Sequence, residues 1–575
     1  MKRNPSNLTK RAYDLLVVGA GIHGACVARD AAMRGMRVAL IDRADFGGAT
    51  SHNSLKIVHG GLRYLQHGDF RRMRQSVVER RFWLSAAPHL VRPLKFVMPT
   101  YGHLLRGPEA LWAGMKVHDL VGMDRNKGVP PDRRLPSGRV ISKDECARLI
   151  PGIDQTGLTG AAVWYDGQMV ESDRAVLACV EDAVRAGADV ANYVSAEAID
   201  LRGARVEGVR ARDLLNQSEF DIRASVTVNT CGPWAGSLLR RSGRRISVGR
   251  MPALARGMNL VTRRLFDDYA VGIMSGRSPD ALVPRGGRLF FITPWRNWSV
   301  IGTSHLPYRD DPDHFDFTEE DIELLIGEVN NAYPPADLKR EDVHYCYAGL
   351  TPAAEGLGCD EVRRGRRHEI IDHQRADGLT GLISVIGVKY TTARLVAEQV
   401  VDGVCRKLPG RFEECRTAVS PLPGGEIPDG FEELVSEACR SRPRVATRGL
   451  DSGGLVGEGW SAAAVRYLVE NYGTEYRRVV GAGETAETVH QTRVAKCQCR
   501  YAVDQEMAVR LSDLVFRRTS LAASEEVTDE GLEWCAQMMG SALGWSDQRQ
   551  RAELDDVRGR LARHRRASGT VGQVL

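Results

Sequence analysis

The glycines of Gly19-Ala20-Gly21-Ile22-His23-Gly24 stand at the spacing G-x-G-x-x-G, and the chemistry of that spacing is phosphate binding. The first glycine permits a tight turn, the second lets a pyrophosphate reach the backbone, and the third lets a helix pack close to a strand. A helix opening at this turn offers N–H donors and the positive end of its dipole to the phosphates. Asp42 follows about twenty residues on, where a carboxylate accepts from a ribose hydroxyl. The set points to a dinucleotide and does not by itself separate FAD from NAD. A second stretch, residues 48–64, is dense in small, hydroxyl and basic side chains.

These residues need elements to hold them. Residues 13–18 read as a buried parallel strand, 22–34 as a helix and 37–41 as a second strand, a β-α-β unit. Small Ala25, Ala28 and Ala32 allow that helix to lie close to the sheet. Residues 225–230 and 381–386 are later buried β runs. Residues 288–295 and 298–303 are rich in aromatic and β-branched side chains and flank Arg296-Asn297, which predicts an antiparallel hairpin in a separate sheet. Residues 392–407 repeat apolar side chains at helical period. Residues 420–430 carry Pro421, Pro423, Gly424, Gly425 and Pro428, a linker composition. Beyond it, helices are expected over 462–472, 501–517 and 532–543.

The chain has 575 residues, enough for about two to four domains. With 43% hydrophobic and 26% charged residues it is globular, which excludes disordered, collagenous and disulfide-scaffold classes. A net charge of +6 is mild for this length, so charge informs only where it clusters. The 12 cysteines are scattered, and Cys497 with Cys499 lacks further ligands at metal spacing. Free thiols in a reducing cytoplasm and no metal site are expected. The apolar stretch 15–28 imitates a signal peptide, but its glycine spacing argues against one. No run approaches the ~20 apolar residues of a spanning helix, so a soluble or surface-bound protein is expected.

Residues 48–64, read in order as Gly48-Ala49-Thr50-Ser51-His52-Asn53-Ser54-Leu55-Lys56-Ile57-Val58-His59-Gly60-Gly61-Leu62-Arg63-Tyr64, closely resemble the FAD-dependent glycerol-3-phosphate dehydrogenases. The resemblance extends through Asn229-Thr230-Cys231-Gly232-Pro233-Trp234, Gly302-Thr303-Ser304, Ile386-Gly387-Val388-Lys389-Tyr390-Thr391-Thr392 and Pro421-Leu422-Pro423-Gly424-Gly425. It reaches the C-terminal part at Glu470-Asn471-Tyr472-Gly473 and Arg517-Arg518-Thr519. It implies an α/β fold in which an FAD-binding Rossmann-like domain is interleaved with an antiparallel-sheet substrate domain, followed by an all-α domain. The expected boundaries are an oxidoreductase region at 1–419, a linker at 420–430 and a helical domain at 431–575. Within the first, FAD-binding segments are expected near 1–90, 155–250 and 360–410, and substrate-domain segments near 91–154 and 251–359.

The resemblance implies that Gly19, Gly21, Gly24 and Asp42 hold the ADP half of FAD, with Val194 contacting adenine through its backbone. Thr50 and Ser51 line the pyrophosphate and ring side, and Thr230 and Gly232 lie against the cofactor. Gly387, Lys389 and Thr391 belong to a helix N-terminus facing the flavin pyrimidine edge. For a phosphorylated polyol, Lys56, Arg63, Arg367 and Lys389 are the expected cations, and His59 the base or hydrogen-bond partner. Where the family has an arginine in Gly-Val-Arg-Pro, this chain reads Gly349-Leu350-Thr351-Pro352, and where it has Gly-Thr-Thr-Asp, this chain reads Gly302-Thr303-Ser304-His305. A Lys-Gly-Ser-His-like element appears as Arg256-Gly257-Met258-Asn259. His305 is therefore expected to take over part of the work of the arginine replaced by Thr351.

The expected reaction is oxidation of sn-glycerol 3-phosphate to dihydroxyacetone phosphate by hydride transfer to flavin N5. A specialised relative acting on another hydroxy or amino acid-like substrate is the alternative. Arginine clusters at 71–81, 240–245, 363–367 and 563–566 raise a second alternative, a flavoprotein acting on nucleic acid. Their dispersal, without interleaved stacking aromatics, argues against it. Quinone or oxygen is the expected electron acceptor and a homodimer the expected assembly. The expected location is cytoplasmic, with peripheral contact on the inner membrane face through those basic clusters or an apolar surface at 104–120, Trp112 and Met115 included.

Overall fold

The computed structural model describes residues 1–62, 64, 68–102, 108–241, 253–275, 288–353, 368–387, 389–441, 460–482 and 487–565. Tyr13–Val18 and Val38–Ile41 are almost wholly buried, as strands covered on both faces must be. They join a sheet in the order Glu369–Asp372, Leu382–Ile386, Glu219–Asn229, Tyr13–Val18, Val38–Ile41, Asp189–Ala191. Every pairing along it is parallel except the outermost, between Glu369–Asp372 and Leu382–Ile386. The helices Ile22–Met33, Ser172–Arg185 and Ala393–Cys405 pack over this sheet, and their apolar faces make its core. Burying each such side chain contributes about 1.5–3 kcal/mol.

A second sheet runs Val343–Pro352, Leu254–Arg263, Trp298–Tyr308, Arg288–Trp295, Tyr269–Ser275, Val91–Tyr101, Leu158–Met169, Ile57–Val58. It is antiparallel apart from one parallel pair, Tyr269–Ser275 with Val91–Tyr101. The expected hairpin is present: Trp295 pairs with Trp298 across Arg296-Asn297, and Arg296 takes the left-handed φ of 51° that a tight turn of this kind requires.

The C-terminal part is helical, with one departure from expectation. The helix expected over 501–517 is two pieces, Lys496–Gln505 and a short helical stretch, Leu511–Asp513, that widens into a π turn at Leu514–Arg518. The break at Met507, φ 55°, exposes the Glu506 carbonyl to the Arg518 guanidinium at 2.8 and 3.0 Å. The Glu506 carboxylate takes Arg174 at 2.7 Å. Buried guanidiniums need acceptors, and an unbroken helix would have kept that carbonyl for itself. Residues 420–430 are likewise packed rather than loose. Leu422 N–H donates to the Ala86 carbonyl at 2.8 Å, and Thr474 N–H donates to the Gly424 carbonyl at 3.1 Å. Gly424 has φ +78°, and a Cβ there would lie 2.1 Å from the Tyr472 carbonyl.

The first arginine cluster is not a free basic face. Arg72 pairs with Asp69, Arg74 and Arg81 share Asp124, and Arg80 is buried against Asp166. Arg244, Arg245, residues 363–367 and Arg566 lie outside the described residues. Of the expected apolar surface, residues 104–107 are also outside them, and Met115 is buried. No helix among the described residues is long and apolar enough to cross a membrane.

Candidate active site

The glycine turn is built from backbone that admits no side chain. Gly19 has φ +100°, and a Cβ there would lie 2.7 Å from the Thr230 carbonyl; one at Gly24 would lie 1.8 Å from the Gly19 carbonyl. Thr230 Oγ1 lies 2.9 and 2.7 Å from the Val18 and Gly19 carbonyls, so its hydroxyl braces the turn from behind. Gly232, φ 56°, turns the chain just beyond. The helix opening at Gly21 has no side-chain cap and no acid in its first turn, and Ile22 N–H donates to Ser51 Oγ at 3.0 Å. Thr50 turns the other way, its hydroxyl donating to the Leu350 carbonyl at 2.7 Å.

Asp42 accepts from Ala20 N–H at 2.6 Å and from Ala44 N–H at 2.8 Å, one on each carboxylate oxygen. Burial raises its carboxyl to about 6 against the pull of those two hydrogen bonds. Its backbone carbonyl takes Val194 N–H at 2.8 Å, which brings Val194 beside the second strand. The residues fit a dinucleotide. The helix N-terminus, without a side-chain cap, would meet a pyrophosphate, and Asp42 keeps lone pairs that ribose hydroxyls would use. Gly387 backs onto the half-buried His23 ring, where a Cβ would come within 2.2 Å.

A second constellation joins segments over 300 residues apart. Strand Ile57–Val58 pairs with Gly167 and Gln168 and delivers His59 at its end. His59 N–H donates to Thr391 Oγ1 at 3.3 Å. The Tyr64 ring centroid lies 6.3 Å from the His59 ring and 4.3 Å from Lys389 Nζ. Trp83 Nε1 holds the Thr391 carbonyl at 3.1 Å, just before the helix Ala393–Cys405 begins. Burial lowers the Lys389 ammonium to about 8, and among the described residues no carboxylate pairs with it.

Asp166 is a residue that sequence reasoning missed. It accepts Gly60 N–H at 2.6 Å, Trp164 Nε1 at 3.0 Å and the Arg80 guanidinium, anchoring the loop that carries His59. A polar residue alternating with Trp164 on a buried strand was the available signal.

The two departures from the family pattern share a sheet. His305 pairs with Gly257, whose other neighbour is Gly349, and Thr351 pairs with Ala255. By the strand alternation, His305 and Thr351 stand on one face. That face covers the 50–54 segment: Asn259 Nδ2 donates to the Asn53 carbonyl at 3.2 Å, and Thr303 Oγ1 donates to Asn259 Oδ1 at 2.7 Å. His305 Nδ1 lies 3.2 Å from the Thr303 carbonyl. A carbonyl only accepts, so Nδ1 is the donor in that contact.

Lys56, expected among the phosphate cations, is buried against two aromatic rings. Its left-handed φ of 61° turns the side chain inward, and Nζ lies 5.1 Å from the Trp295 ring and 4.7 Å from the Tyr347 ring, 2% exposed. Arg63, Arg367 and Val388 lie outside the described residues.

Comparison with known proteins completes the description. Residues 14–402 match the family model described as FAD dependent oxidoreductase, and 415–550 match the C-terminal domain of alpha-glycerophosphate oxidase. A glycerol-3-phosphate dehydrogenase from Synechocystis is 31% identical, over 95% of this chain and 96% of its own. An alpha-glycerophosphate oxidase from Streptococcus pyogenes is 27% identical, over 96% and 95%. The solved glycerol-3-phosphate dehydrogenase from Bacillus halodurans, complexed with FAD, superposes with a TM-score of 0.73 at 24% identity, over 99% and 98%.

Proposed function

The chain belongs to the FAD-dependent oxidoreductase family and uses FAD, and from that premise we propose that it oxidises sn-glycerol 3-phosphate to dihydroxyacetone phosphate. Lys389 carries this reading: a largely desolvated ammonium without a carboxylate among the described residues, near the same Tyr64 ring as the His59 imidazole, suits a dianionic phosphate on an alcohol. The names of the relatives, a glycerol-3-phosphate dehydrogenase and a glycerophosphate oxidase, support the same substrate. When bound, FAD supplies the hydride acceptor. In this reading Lys389 holds the phosphate, with Arg63 and Arg367 as further cations, and His59 orients the hydroxyl through the loop that Asp166 anchors. His305 accepts the hydroxyl proton, and Thr351 lines the same face. Residues 1–419 do the chemistry and the helical domain covers them.

His305→Ala is expected to slow flavin reduction by glycerol 3-phosphate about 100-fold at saturation, the range of a lost general base. Stopped-flow rates from pH 6 to 9 check it. Parent-like rates at every pH would remove His305 from the reaction.

Quinone is the acceptor we favour, reached from a membrane surface. Trp112 and Leu120 stand two turns apart on one face of the helix Pro108–Val121, 55% and 63% exposed, with Met123 just beyond. Because Arg72, Arg74, Arg80 and Arg81 are paired, association should be apolar: it should survive a wash in about 1 M salt and yield to detergent. Release by salt alone would favour the basic clusters instead.

A further inference from the structure

The Arg517-Arg518 pair lies far from the glycine turn in sequence and has no part in the reading above, yet both side chains end on Asp45, in the loop that holds that turn. We propose that this pair fixes the loop that braces the glycine turn, so that the helical domain governs how tightly FAD is held. Arg517 and Arg518 act here as positioning residues, and the inference rests on FAD lying at that turn.

The loop in question is residues 42–48. It grips Ala20, the residue between the first two glycines, from both sides: Ala20 N–H donates to Asp42 Oδ2 at 2.6 Å, and Gly47 N–H donates to the Ala20 carbonyl at 3.0 Å. At its centre Asp45, fully buried, receives Arg517 Nε at 2.6 Å and the Arg518 fork at 2.6 and 2.8 Å. Burial pushes the Asp45 carboxyl up, and the two guanidiniums overcome that push, so it stays ionised. Asn192 Nδ2 adds a donor to Asp45 at 3.0 Å.

The same arginine reaches the adenine side. Arg517 Nη2 donates to Asp513 at 2.7 Å, and Asp513 accepts the Tyr193 hydroxyl at 2.5 Å. Tyr193 holds a left-handed φ of 55° next to Val194, and its N–H donates to the Ala44 carbonyl at 3.1 Å. A residue keeps such a conformation only where its surroundings over-determine it. A buried bidentate network of this kind loses its geometry when one fork is removed, because the partner charge is left unpaired.

The test is FAD affinity, measured by reconstituting the flavin-stripped full chain and following flavin fluorescence, beside the melting temperature of each variant. Arg518→Met is expected to raise the FAD dissociation constant about 30-fold, and Arg518→Lys, which keeps charge but not the fork, about 5-fold. Met539→Ala, a cavity in the helical core at a residue outside the Asp45 hydrogen-bond network, is expected to lower the melting temperature with parent-like FAD affinity. Parent-like affinity in both arginine variants overturns the proposal, and so does equal weakening by Met539→Ala. If Arg518→Met does not fold, Arg518→Lys decides alone. A parent that binds no FAD would instead overturn the cofactor placement beneath it.

Discussion

Lys389→Met is expected to raise the glycerol 3-phosphate concentration for half-maximal flavin reduction about 100-fold. The expectation follows from its surroundings. Its ammonium is largely buried and no carboxylate among the described residues neutralises it, so a phosphate would be its counter-charge. Removing one partner of a desolvated charge pair costs about 2–5 kcal/mol. The sign of the pH dependence is fixed by the same burial. Lys389, lowered to about 8, is an ammonium below that pH and an amine above it. Substrate affinity should therefore weaken as pH rises through about 8 in the parent. In Lys389→Arg it should stay level over that window, because a guanidinium remains charged. Anaerobic titrations at pH 7 and 9 check both statements. A Met variant that saturates at the parent concentration would take Lys389 out of the phosphate site.

Gly24→Val is expected to yield protein without flavin. The first side-chain atom alone would stand 1.8 Å from the Gly19 carbonyl and 2.7 Å from Thr230 Oγ1. The carbonyl belongs to a backbone already committed to φ +100°. The helix must then lift from the strand, and overpacking of this sort costs about 1–3 kcal/mol before the lost cofactor is counted. Gly21→Val separates folding from binding. Its Cβ meets only Ser51 Oγ at 3.3 Å, so the chain should fold while the side chain fills the mouth of the helix. Gly327, in the helix Glu319–Ala332 with nothing within 4 Å of a Cβ, serves as the reference. Gly327→Ala should keep full flavin. The ratio of flavin to protein absorbance, read with the melting curve, checks all of them; full occupancy in Gly21→Val would contradict the placement of the pyrophosphate.

The glycine turn and the β-α-β unit were legible because their signals are local: spacing, strand burial and a carboxylate at the end of the second strand. The hairpin at Arg296-Asn297 was legible for the same reason. What escaped the sequence depends on distant partners. The break at Met507 leaves the Glu506 carbonyl to the Arg518 guanidinium. Arg80 reads as a surface charge until the fold brings Asp166 beneath it. Lys56 sits in a motif of reactive residues, and its burial against Trp295 and Tyr347 is set by strands far along the chain. The shared face of His305 and Thr351 is set by the register of three strands, which spacing along the chain does not encode.

The central claim is oxidation of glycerol 3-phosphate by bound FAD, and anaerobic titration of the yellow enzyme tests it most directly. One equivalent of glycerol 3-phosphate per flavin should bleach the absorbance and yield one equivalent of dihydroxyacetone phosphate, while glycerol, lacking the phosphate, should leave the flavin oxidised. A flavin that stays yellow with excess glycerol 3-phosphate, yet bleaches with another hydroxy or amino acid-like compound, would contradict the account and make Thr351 and His305 the marks of a different substrate.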